Sequence, residues 1–302
     1  SGVWAMRLGL IGMIGLGLLC TCSAQAPPLT NGGNGAARVP PLRFNHVIIV
    51  VEENADYSRV IGGGSMPYLN RLAQQYGLAT QYYANTHPSI GNYFMLAVGD
   101  TVTNNDGYSN VVDRDNVVRE LVAAGKTWKS YAEDLPSAGY TGPGRGLYAR
   151  KHNVLALLSD VANDTAQSRH LVPFTQLAAD LGHDSLPNYA IVVPNLCHDA
   201  HNCSLDVADR WLQANIDPLI QNPSFQRDGL LIITFDESRR DGTRGGGRIA
   251  WVAVSPKVKR AYQSTTIYQH ESTLRLALDA LGVTTLPGRA AGAPAMGEFF
   301  GQ

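Results

Sequence analysis

The sequence predicts a single α/β domain built on a mostly parallel central sheet with helices on both faces. Short β-branched runs end in polar residues, and segments of helical periodicity lie between them, an alternation typical of parallel sheets. Hydrophobic residues make up 44% of the 302 residues and charged residues 16%, which excludes collagen-like, coiled-coil and wholly disordered chains. The length exceeds that of an average domain, but α/β enzymes of this size often form one unit.

Six short apolar runs predict the strands of this sheet. The first, 44–51, is rich in β-branched residues and stops at Glu52, as expected of a strand buried on both faces. Runs 189–193 and 230–235 have the same form, and polar residues follow each of them. The predicted strands in chain order are 44–51, 80–83, 127–131, 189–193, 230–235 and 249–254.

Six longer segments predict helices, because their apolar residues recur at i, i+3 or i+4 and so line one face. The predicted helices are 66–76, 90–98, 116–124, 174–181, 205–220 and 272–281. They alternate with the predicted strands or follow the last one, which places them on the faces of the sheet.

The charge balance excludes a global attraction to polyanions. The chain has 24 basic and 25 acidic side chains, a formal net charge of −1. No overall field therefore favours nucleic acid or an anionic membrane surface. We predict a small-molecule ligand, no nucleic-acid partner and no stable membrane insertion, and leave the oligomeric state open.

The amino terminus has the layout of a secretory signal peptide. Met6 and Arg7 precede the apolar stretch 8–19, and small residues follow at 22–24. The apolar stretch is shorter than the ~20 residues that a membrane-spanning helix needs. We predict a signal peptide over 1–24, with Met6 as the natural start.

Export has consequences for the domain boundaries and the compartment. Pro, Gly and Asn are frequent in 25–41, which predicts a flexible linker before a folded domain over 42–302. The mature protein is predicted to be periplasmic or extracellular. A lipid anchor on Cys20 or Cys22 is the alternative.

Two cysteines remain after removal of the signal peptide, Cys197 and Cys203. An even number of cysteines in an exported chain favours a disulfide. The competing interpretation is a thiolate metal site completed by His198 and His201, which lie between them.

Two of the predicted strands end in acidic residues, Glu52 and Glu53 with Asn54 after the first, and Asp236 with Glu237 after another. Ligands of open α/β sheets bind outside the carboxyl ends of the strands, so the two groups are candidates to meet in one site. Oxygen donors without thiolate or imidazole suit Mg²⁺, Ca²⁺ or Mn²⁺ better than Zn²⁺. The alternative is that each group caps a helix or faces solvent.

A candidate nucleophile, Ser89, lies at the start of the predicted helix 90–98. The free N–H groups and the dipole of a helix start stabilise an attacking alkoxide and phosphoryl oxygens. Asn92, one turn further on, is predicted to point its amide at the same anion. Ser89 is equally suited to be an ordinary N-cap, and Thr86 is a rival nucleophile.

Four histidines are candidates to bind a phosphoryl oxygen or to protonate a leaving alkoxide near neutral pH. These are His152, His198, His201 and His270. A short covalent loop between the cysteines would fix the geometry of His198 and His201. The remaining histidines, His46, His87, His170 and His183, are predicted to be structural.

These motifs, in this order, resemble the secreted phosphoesterase family that joins bacterial and fungal acid phosphatases with bacterial phospholipases C, a branch similar to the alkaline phosphatase superfamily. The segments with this resemblance are 50–57, 87–93, 148–152, 195–203, 235–237 with the glycines 245–247, and 268–275. The resemblance extends over 45–300. It implies an alkaline phosphatase-like fold and a hydrolase that acts on phosphoric esters.

The resemblance also implies roles for individual residues. The implied ligands of one divalent metal ion are Glu53, Asn54, Asp236 and Glu237. Ser89 is the implied nucleophile, with a covalent phosphoserine intermediate. Catalytic roles are implied for His152 and His201, and phosphate contacts for Asn54, Asn92, His198 and His270.

Hydrolysis of phosphomonoesters is therefore the predicted function. Phospholipase C or another phosphodiesterase is the enzymatic alternative, and it requires an apolar groove beside the nucleophile. The aromatic candidates for that groove are Tyr82, Tyr83, Tyr93, Phe94 and Tyr140. Two non-enzymatic functions also stay open, an exported protein that binds phosphate without turnover and a structural domain whose acidic residues hold Ca²⁺.

Overall fold

The computed structural model describes residues 41–301. The predicted signal peptide over 1–24 and all but the last residue of the predicted linker over 25–41 lie outside the described residues. Within 41–301, none of the helices has the length and hydrophobicity needed to cross a membrane.

Eight strands in the described part of the chain form one sheet. They are β1 (His46–Glu52), β2 (Gly77–Ala79), β3 (Trp128–Ala132), β4 (Leu171–Pro173), β5 (Tyr189–Val193), β6 (Gly229–Phe235), β7 (Trp251–Val254) and β8 (Tyr262–Ser264). Their order across the sheet is β4-β3-β5-β1-β6-β7-β2-β8. β7 is antiparallel to both of its neighbours, whereas the other neighbouring pairs are parallel. The mostly parallel sheet that the sequence predicts is confirmed.

Ten α-helices surround this sheet within 41–301. They are α1 (Tyr57–Val60), α2 (Pro67–Gln75), α3 (Ile90–Val98), α4 (Val117–Ala123), α5 (Ser159–Ala162), α6 (Thr165–Ser168), α7 (Gln176–Gly182), α8 (Leu205–Gln221), α9 (Pro223–Asp228) and α10 (His270–Ala280). The central strands β5 and β6 are buried along their whole length, because both faces of the sheet are covered.

The predicted elements match the observed ones at most positions. All six predicted helices are present as α2, α3, α4, α7, α8 and α10. The predicted strand 80–83 is displaced, because the paired strand is β2, and only single bridges follow it at Tyr82 and Tyr83. The sequence analysis missed β4 and β8, since three residues are too few to show a period.

The helix α3, which follows Ser89, is almost wholly apolar, and every one of its residues is buried. It packs against α10 inside the fold. A helix that is hydrophobic all round is stable only when it is enclosed in this way. The position of its first turn is therefore fixed by the core.

Candidate active site

The two acidic groups meet because β1 and β6 are neighbouring parallel strands. Glu52 pairs with Phe235 at the last register position of the two strands. Glu53 and Asp236 therefore leave the sheet side by side, and both side chains are buried, as is that of Glu237. The strand register therefore places three carboxyl groups close together at the carboxyl ends of β1 and β6.

Asn54 ties the two acidic groups together through an unusual backbone conformation. Its φ of 45° is in the left-handed region, which asparagine tolerates better than most residues. The turn lets its backbone N–H donate to Asp236 Oδ1 at 2.9 Å. The side-chain amide donates to Glu53 Oε2 at 2.5 Å. Asn54 therefore contacts both Glu53 and Asp236.

Ser89 stands at the N-cap position of α3 but does not cap the helix. Its backbone is helical and its side chain makes no bond to the first N–H groups. The backbone N–H of Ile90 is satisfied by Asp106 Oδ1 at 3.1 Å. The Ser89 hydroxyl instead faces two carboxylates, with Oγ 3.2 Å from both Glu53 Oε2 and Glu237 Oε1. Ser89 is therefore not an ordinary N-cap residue.

Asn92 holds the loop that leads to the nucleophile. Its Oδ1 accepts hydrogen bonds from the backbone N–H groups of Asn85 at 2.9 Å and Thr86 at 3.2 Å. Its Nδ2 donates to the Thr86 carbonyl at 2.9 Å. This placement differs from the predicted phosphate contact, because the amide is engaged with backbone. The Thr86 hydroxyl donates to Asn104 Oδ1 at 2.9 Å, so it is directed away from the carboxylates.

Three consecutive glycines join the loop after β6 to the segment that leads into α3. The Gly246 N–H donates to the Ala84 carbonyl at 3.1 Å, and the Ala84 N–H donates to the Gly247 carbonyl at 2.9 Å. Gly245 has a φ of 104°, and a Cβ at this position would lie 2.0 Å from the Asn85 carbonyl oxygen. Only glycine permits both this conformation and this close approach.

Burial and mutual repulsion favour the protonated forms of the three carboxyl groups. Burial, followed by the charges of Asp236 and Asp199, raises the pKa of Glu53 well above its usual value. Burial also raises the pKa of Asp236. Burial, together with the charge of Asp236, raises the pKa of Glu237 to about 7. A cation among these oxygens would remove the cost of keeping them ionised.

The donor chemistry of this cluster fits a hard divalent cation. No three His, Cys, Asp or Glu side chains of residues 41–301 form a metal-binding group as they stand. Asp236 Oδ2, however, is buried and has no hydrogen-bond partner in the described part of the chain. The Asn54 amide and the Ser89 hydroxyl occupy the positions beside Glu53 Oε2. Carboxylate, amide and hydroxyl oxygens are the ligands that Mg²⁺, Ca²⁺ and Mn²⁺ prefer.

His152 lies behind the carboxylates, with only 1% of its surface exposed. Its Nε2 is 3.0 Å from Glu53 Oε1, and its Nδ1 is 3.2 Å from Asp199 Oδ2. The Tyr93 hydroxyl donates to the same Glu53 oxygen at 2.7 Å, and the Tyr93 ring stacks on the imidazole. Burial lowers the pKa of His152 to about 3. The ring is therefore neutral, and its Nε2 lies close to Glu53 without a hydrogen-bond partner among the described residues.

The predicted disulfide between Cys197 and Cys203 is confirmed, which excludes a thiolate metal site. The loop that it closes presents His201 to solvent. The His201 ring centroid is 6.1 Å from that of His152, and its Nδ1 donates to Asn202 Oδ1 at 2.7 Å. Of the two predicted catalytic histidines, His201 is the one open to a ligand.

His198, on the same loop, belongs to a different cluster. Its Nδ1 donates to Glu133, at 2.9 Å from both carboxylate oxygens, and its ring stacks on Trp211. The Trp211 Nε1–H donates to the same carboxylate at 2.9 Å. No contact among residues 41–301 joins His198 to Ser89, so the structure does not bring it to the nucleophile as predicted.

His270 contacts the backbone of Asp236, the first residue of the second acidic group. Its Nε2–H donates to the Asp236 carbonyl at 2.7 Å, and its Nδ1 is 3.1 Å from the Tyr82 hydroxyl. Because a carbonyl only accepts, the proton lies on Nε2, and Nδ1 accepts from Tyr82. Both ring nitrogens have protein partners and the side chain is fully buried. This placement differs from the predicted phosphate contact of His270.

Three residues contact this cluster in ways that the sequence analysis did not predict, and one of them, Tyr93, was predicted only as a groove residue. His87 contacts Glu237 Oε2 through Nδ1 and donates from Nε2 to the Asp241 carbonyl, although it was predicted to be structural. Tyr93 follows Ser89 by four residues, a spacing that indicates one face of the helix and was available in the sequence. Asp199 had no comparable signal, since its place beside His152 depends on the fold of the disulfide loop.

Comparison with known proteins agrees with these features. A model of the Phosphoesterase family matches residues 63–284. A phosphate-repressible acid phosphatase of Penicillium chrysogenum is 34% identical over 67% of this chain, which spans 50% of that relative's length. A phosphatidylinositol-3-phosphatase of Mycobacterium tuberculosis is 32% identical over 98% of this chain and 94% of its own length.

The fold also has solved relatives. A protein of the alkaline phosphatase superfamily from Vibrio parahaemolyticus superposes with a TM-score of 0.56 at 13% identity. The superposition covers 86% of this chain and 73% of the other, which confirms the predicted alkaline phosphatase-like fold. Given the family match and relatives about one third identical over most of its length, the chain belongs to the Phosphoesterase family.

Proposed function

We propose that this chain hydrolyses phosphomonoesters through a covalent phosphoserine on Ser89, with one divalent metal ion bound at the same site. The observation that supports this most directly is the position of the Ser89 hydroxyl. It stands at the start of α3, takes no part in capping, and faces Glu53 and Glu237 at 3.2 Å each. An activated nucleophile needs a neighbouring base, which the carboxylates supply. It also needs positive charge, which the helix start and the proposed metal ion would supply.

The proposed metal ligands are Glu53, Asn54, Asp236 and Glu237. The unpartnered oxygen of Asp236 and the raised pKa values of the carboxyl groups support this assignment. When bound, the ion would neutralise charge on the phosphoryl oxygens and lower the pKa of the serine hydroxyl. Mg²⁺, Ca²⁺ or Mn²⁺ is favoured over Zn²⁺, because the four ligands are oxygen donors.

Ser89 begins the reaction as the nucleophile. Its Oγ attacks phosphorus, the bond from phosphorus to the ester oxygen breaks, and the hydroxyl proton passes to one of the two carboxylates that it faces. The departing alkoxide takes a proton from a histidine. Water then attacks the phosphoserine, inorganic phosphate leaves, and Ser89 regains a proton. The substrate is thus a small phosphate ester, and the products are an alcohol and phosphate.

His201 is the better candidate for the proton donor. His152 is neutral because burial lowers its pKa to about 3, and its nitrogens face Glu53 and Asp199. His201 is exposed on the disulfide loop, with only its Nδ1 engaged by a neighbour. An imidazole open to solvent can take up a proton between turnovers, which a buried one cannot do readily. His152 is therefore assigned to positioning Glu53.

A monoester is favoured over a diester by the surroundings of Ser89. Of the five aromatic residues predicted to line a groove for an apolar leaving group, Tyr82, Tyr93 and Phe94 are buried in the core. Tyr83 and Tyr140 are half-buried. The names of the relatives, an acid phosphatase and a phosphatidylinositol-3-phosphatase, also indicate monoesters. Lipid-linked and free monoesters share the phosphoryl group that the site is proposed to bind.

The test of this proposal compares a chromogenic phosphomonoester with a phosphocholine diester across the acid to mildly alkaline range. We expect the purified protein to cleave the monoester faster, and Ser89→Ala to lose at least about 10⁴-fold in kcat while it stays folded. Ser137→Ala, an exposed loop serine, is the control and should keep wild-type turnover. Acid quenching of the wild type during turnover should yield a phosphopeptide that contains Ser89.

Three results would contradict the proposal in distinct ways. Wild-type turnover by Ser89→Ala would eliminate the phosphoserine. Faster cleavage of the diester would instead assign the chain to phospholipase C-like phosphodiesterases. Stoichiometric binding of phosphate with no cleavage of either ester would indicate a binding protein.

A further inference from the structure

Lys151 places a charged ammonium group beside the start of the nucleophile helix. It lies in the 3-10 turn Arg150–His152, which also supplies His152 to the carboxylate cluster. Its Nζ donates to Asp106 Oδ2 at 2.7 Å. The other oxygen of the same carboxylate, Oδ1, accepts the hydrogen bond from the Ile90 N–H at 3.1 Å. One carboxylate therefore holds both the lysine and the first residue of α3.

The ammonium of Lys151 has capacity for a further ligand. An ammonium has three N–H donors, and Asp106 is the hydrogen-bond partner found for this one among the described residues. Its side chain is 24% exposed, so the group is neither sealed in the core nor free in solvent. A half-buried cation with unused donors beside a helix start is well placed to meet an incoming anion.

The electrostatics of the site favour such a contact. Glu53, Asp236 and Glu237 together contribute as many as three negative charges, and a phosphomonoester adds up to two more. One divalent cation does not balance this sum. Burial lowers the pKa of Lys151. The hydrogen bond to Asp106 and the negative charges of Asp106, Glu53 and Asp236 raise it by more, so the pKa lies above its usual value. The charges of Asp106, Glu53 and Asp236 therefore favour the charged form of this ammonium.

We propose that Lys151 binds a non-bridging oxygen of the substrate's phosphoryl group, with Asp106 positioning the ammonium beside the start of α3. This inference rests on the proposed function, because it assigns a further phosphate-binding residue to the same site. Lys151 also binds the inorganic phosphate product, since that product has the same oxygens. The charge it adds supports the ground state and the transition state of phosphoryl transfer.

A purely structural ion pair is the competing explanation. In that case the ion pair only links the turn at 150–152 to the loop that contains Asp106. Loss of Lys151 or Asp106 then lowers the stability of the fold without changing its affinity for phosphate. Lys129 provides a matched control, since it forms an ion pair with Asp180 and its side chain is 22% exposed. That pair joins β3 to α7, and no described contact links it to Ser89.

Phosphate binding separates the two explanations without turnover. Inorganic phosphate is titrated calorimetrically into the full chain with Ser89→Ala, in the presence of Mg²⁺, Ca²⁺ or Mn²⁺, and the titration is repeated with Lys151→Gln, Lys151→Arg and Lys129→Gln added. We expect Lys151→Gln to weaken phosphate binding at least about tenfold, the loss of one charge-assisted hydrogen bond. Lys151→Arg should recover most of that affinity, and Lys129→Gln should leave it unchanged.

Two results would overturn the inference. Equal phosphate affinity with and without Lys151→Gln, in proteins of matched thermal stability, would assign Lys151 to a structural role. No measurable phosphate binding by Ser89→Ala with any of the three metals would show that this site does not bind phosphate, and would therefore exclude the proposed role of Lys151. Ester hydrolysis is measured separately, so Lys151-dependent phosphate binding without turnover would contradict the proposed function and leave this inference standing.

Discussion

The histidines around Ser89 have different chemistry because their surroundings differ. Burial lowers the pKa of His152 to about 3 and that of His270 to about 4, so both rings are neutral. Burial also disfavours the charged form of His87, but the Asp241 carbonyl and Glu237 outweigh it and raise its pKa. The same side chain is thus held neutral by burial at two positions, whereas its charged form is favoured beside Glu237 at a third.

Proton donation by His201 gives a prediction at the scale of one residue. A general acid matters most when the leaving group is a poor one, because a weakly acidic alcohol needs its proton during bond breaking. We expect His201→Gln to lower kcat for an alkyl phosphate by about 100-fold, within the usual range for general acid catalysis. The loss with p-nitrophenyl phosphate should be below about tenfold, because nitrophenolate leaves without a proton.

The comparison of the two esters is made by steady-state kinetics on the same preparation of the variant. A matched His183→Gln variant changes an exposed histidine and should behave as the wild type. If both esters lose the same factor in His201→Gln, proton donation by this residue is ruled out, and a role in binding the phosphoryl group replaces it.

Among the elements, the loops after β6 and before α3 determine whether the nucleophile meets its carboxylates. Glu237 is the second residue after β6, and Ser89 directly precedes α3, yet their side chains lie 3.2 Å apart. The glycines after β6 hold the two loops in contact through paired backbone hydrogen bonds with Ala84. The loop contact thus fixes the distance between Ser89 and Glu237.

Substitution of one glycine tests this role of the loop contact. Gly245→Ala introduces a Cβ 2.0 Å from the Asn85 carbonyl oxygen at a φ of 104°, where a side chain is strained. We expect a loss of about 2 kcal/mol in the free energy of unfolding. A loss of kcat larger than tenfold should accompany it at temperatures where the variant is folded, because a shift of about 1 Å at the nucleophile disturbs the alignment.

Gly242→Ala is the matched control in the same loop. Its Cβ would meet nothing within 4 Å, and its φ of −105° suits any residue. Denaturant unfolding and steady-state kinetics should therefore give wild-type values for this variant. Equal behaviour of the two variants would show that the close approach at Gly245 has no part in positioning Ser89.

At the scale of the whole molecule, the site lies at the carboxyl ends of two parallel strands in the middle of an eight-stranded sheet. The neighbours of β1 are β5 and β6, and all three strands are buried. The carboxyl groups at the ends of these buried strands cannot move apart to reduce their repulsion, because the sheet around them is closely packed. Its repulsion is therefore relieved by protons or by a cation.

Removal of the proposed metal should consequently affect both activity and stability. We expect a chelator to abolish ester hydrolysis, and Mg²⁺, Ca²⁺ or Mn²⁺ at about 100 times its Kd to restore it. At that concentration the ion stabilises the folded state by about 3 kcal/mol and raises Tm by about 5 °C. Calorimetric scans and initial rates on the same samples measure both effects.

Asp236→Asn is the control for the chelation experiment, since it removes one proposed ligand charge. Its Tm should respond to the divalent ion much less than that of the wild type. A chelator that lowers Tm but leaves hydrolysis unchanged would indicate a structural cation and would contradict the proposed role in catalysis.

Much of the fold was predictable because periodicity is a local property. The helix at 90–98 and the strand at 189–193 have the predicted bounds, since each is a mostly apolar segment that is buried on all sides and bounded by polar residues, glycine or proline. The short edge strands β4 and β8 were missed, because their pairing depends on distant segments and not on their own pattern. The predicted export and the boundaries before residue 41 remain predictions.

The sequence by itself determined the α/β class, the two acidic strand ends and the serine at a helix start, and it favoured the disulfide between Cys197 and Cys203 that the structure confirms. Tertiary structure alone decided the partners of the remaining polar residues. It turned Asn92 towards its own loop, buried His270 behind Asp236, and placed Lys151 beside α3. The reason is physical: periodicity along the chain encodes which face is buried, whereas hydrogen-bond partners and pKa values depend on neighbours brought together by the fold.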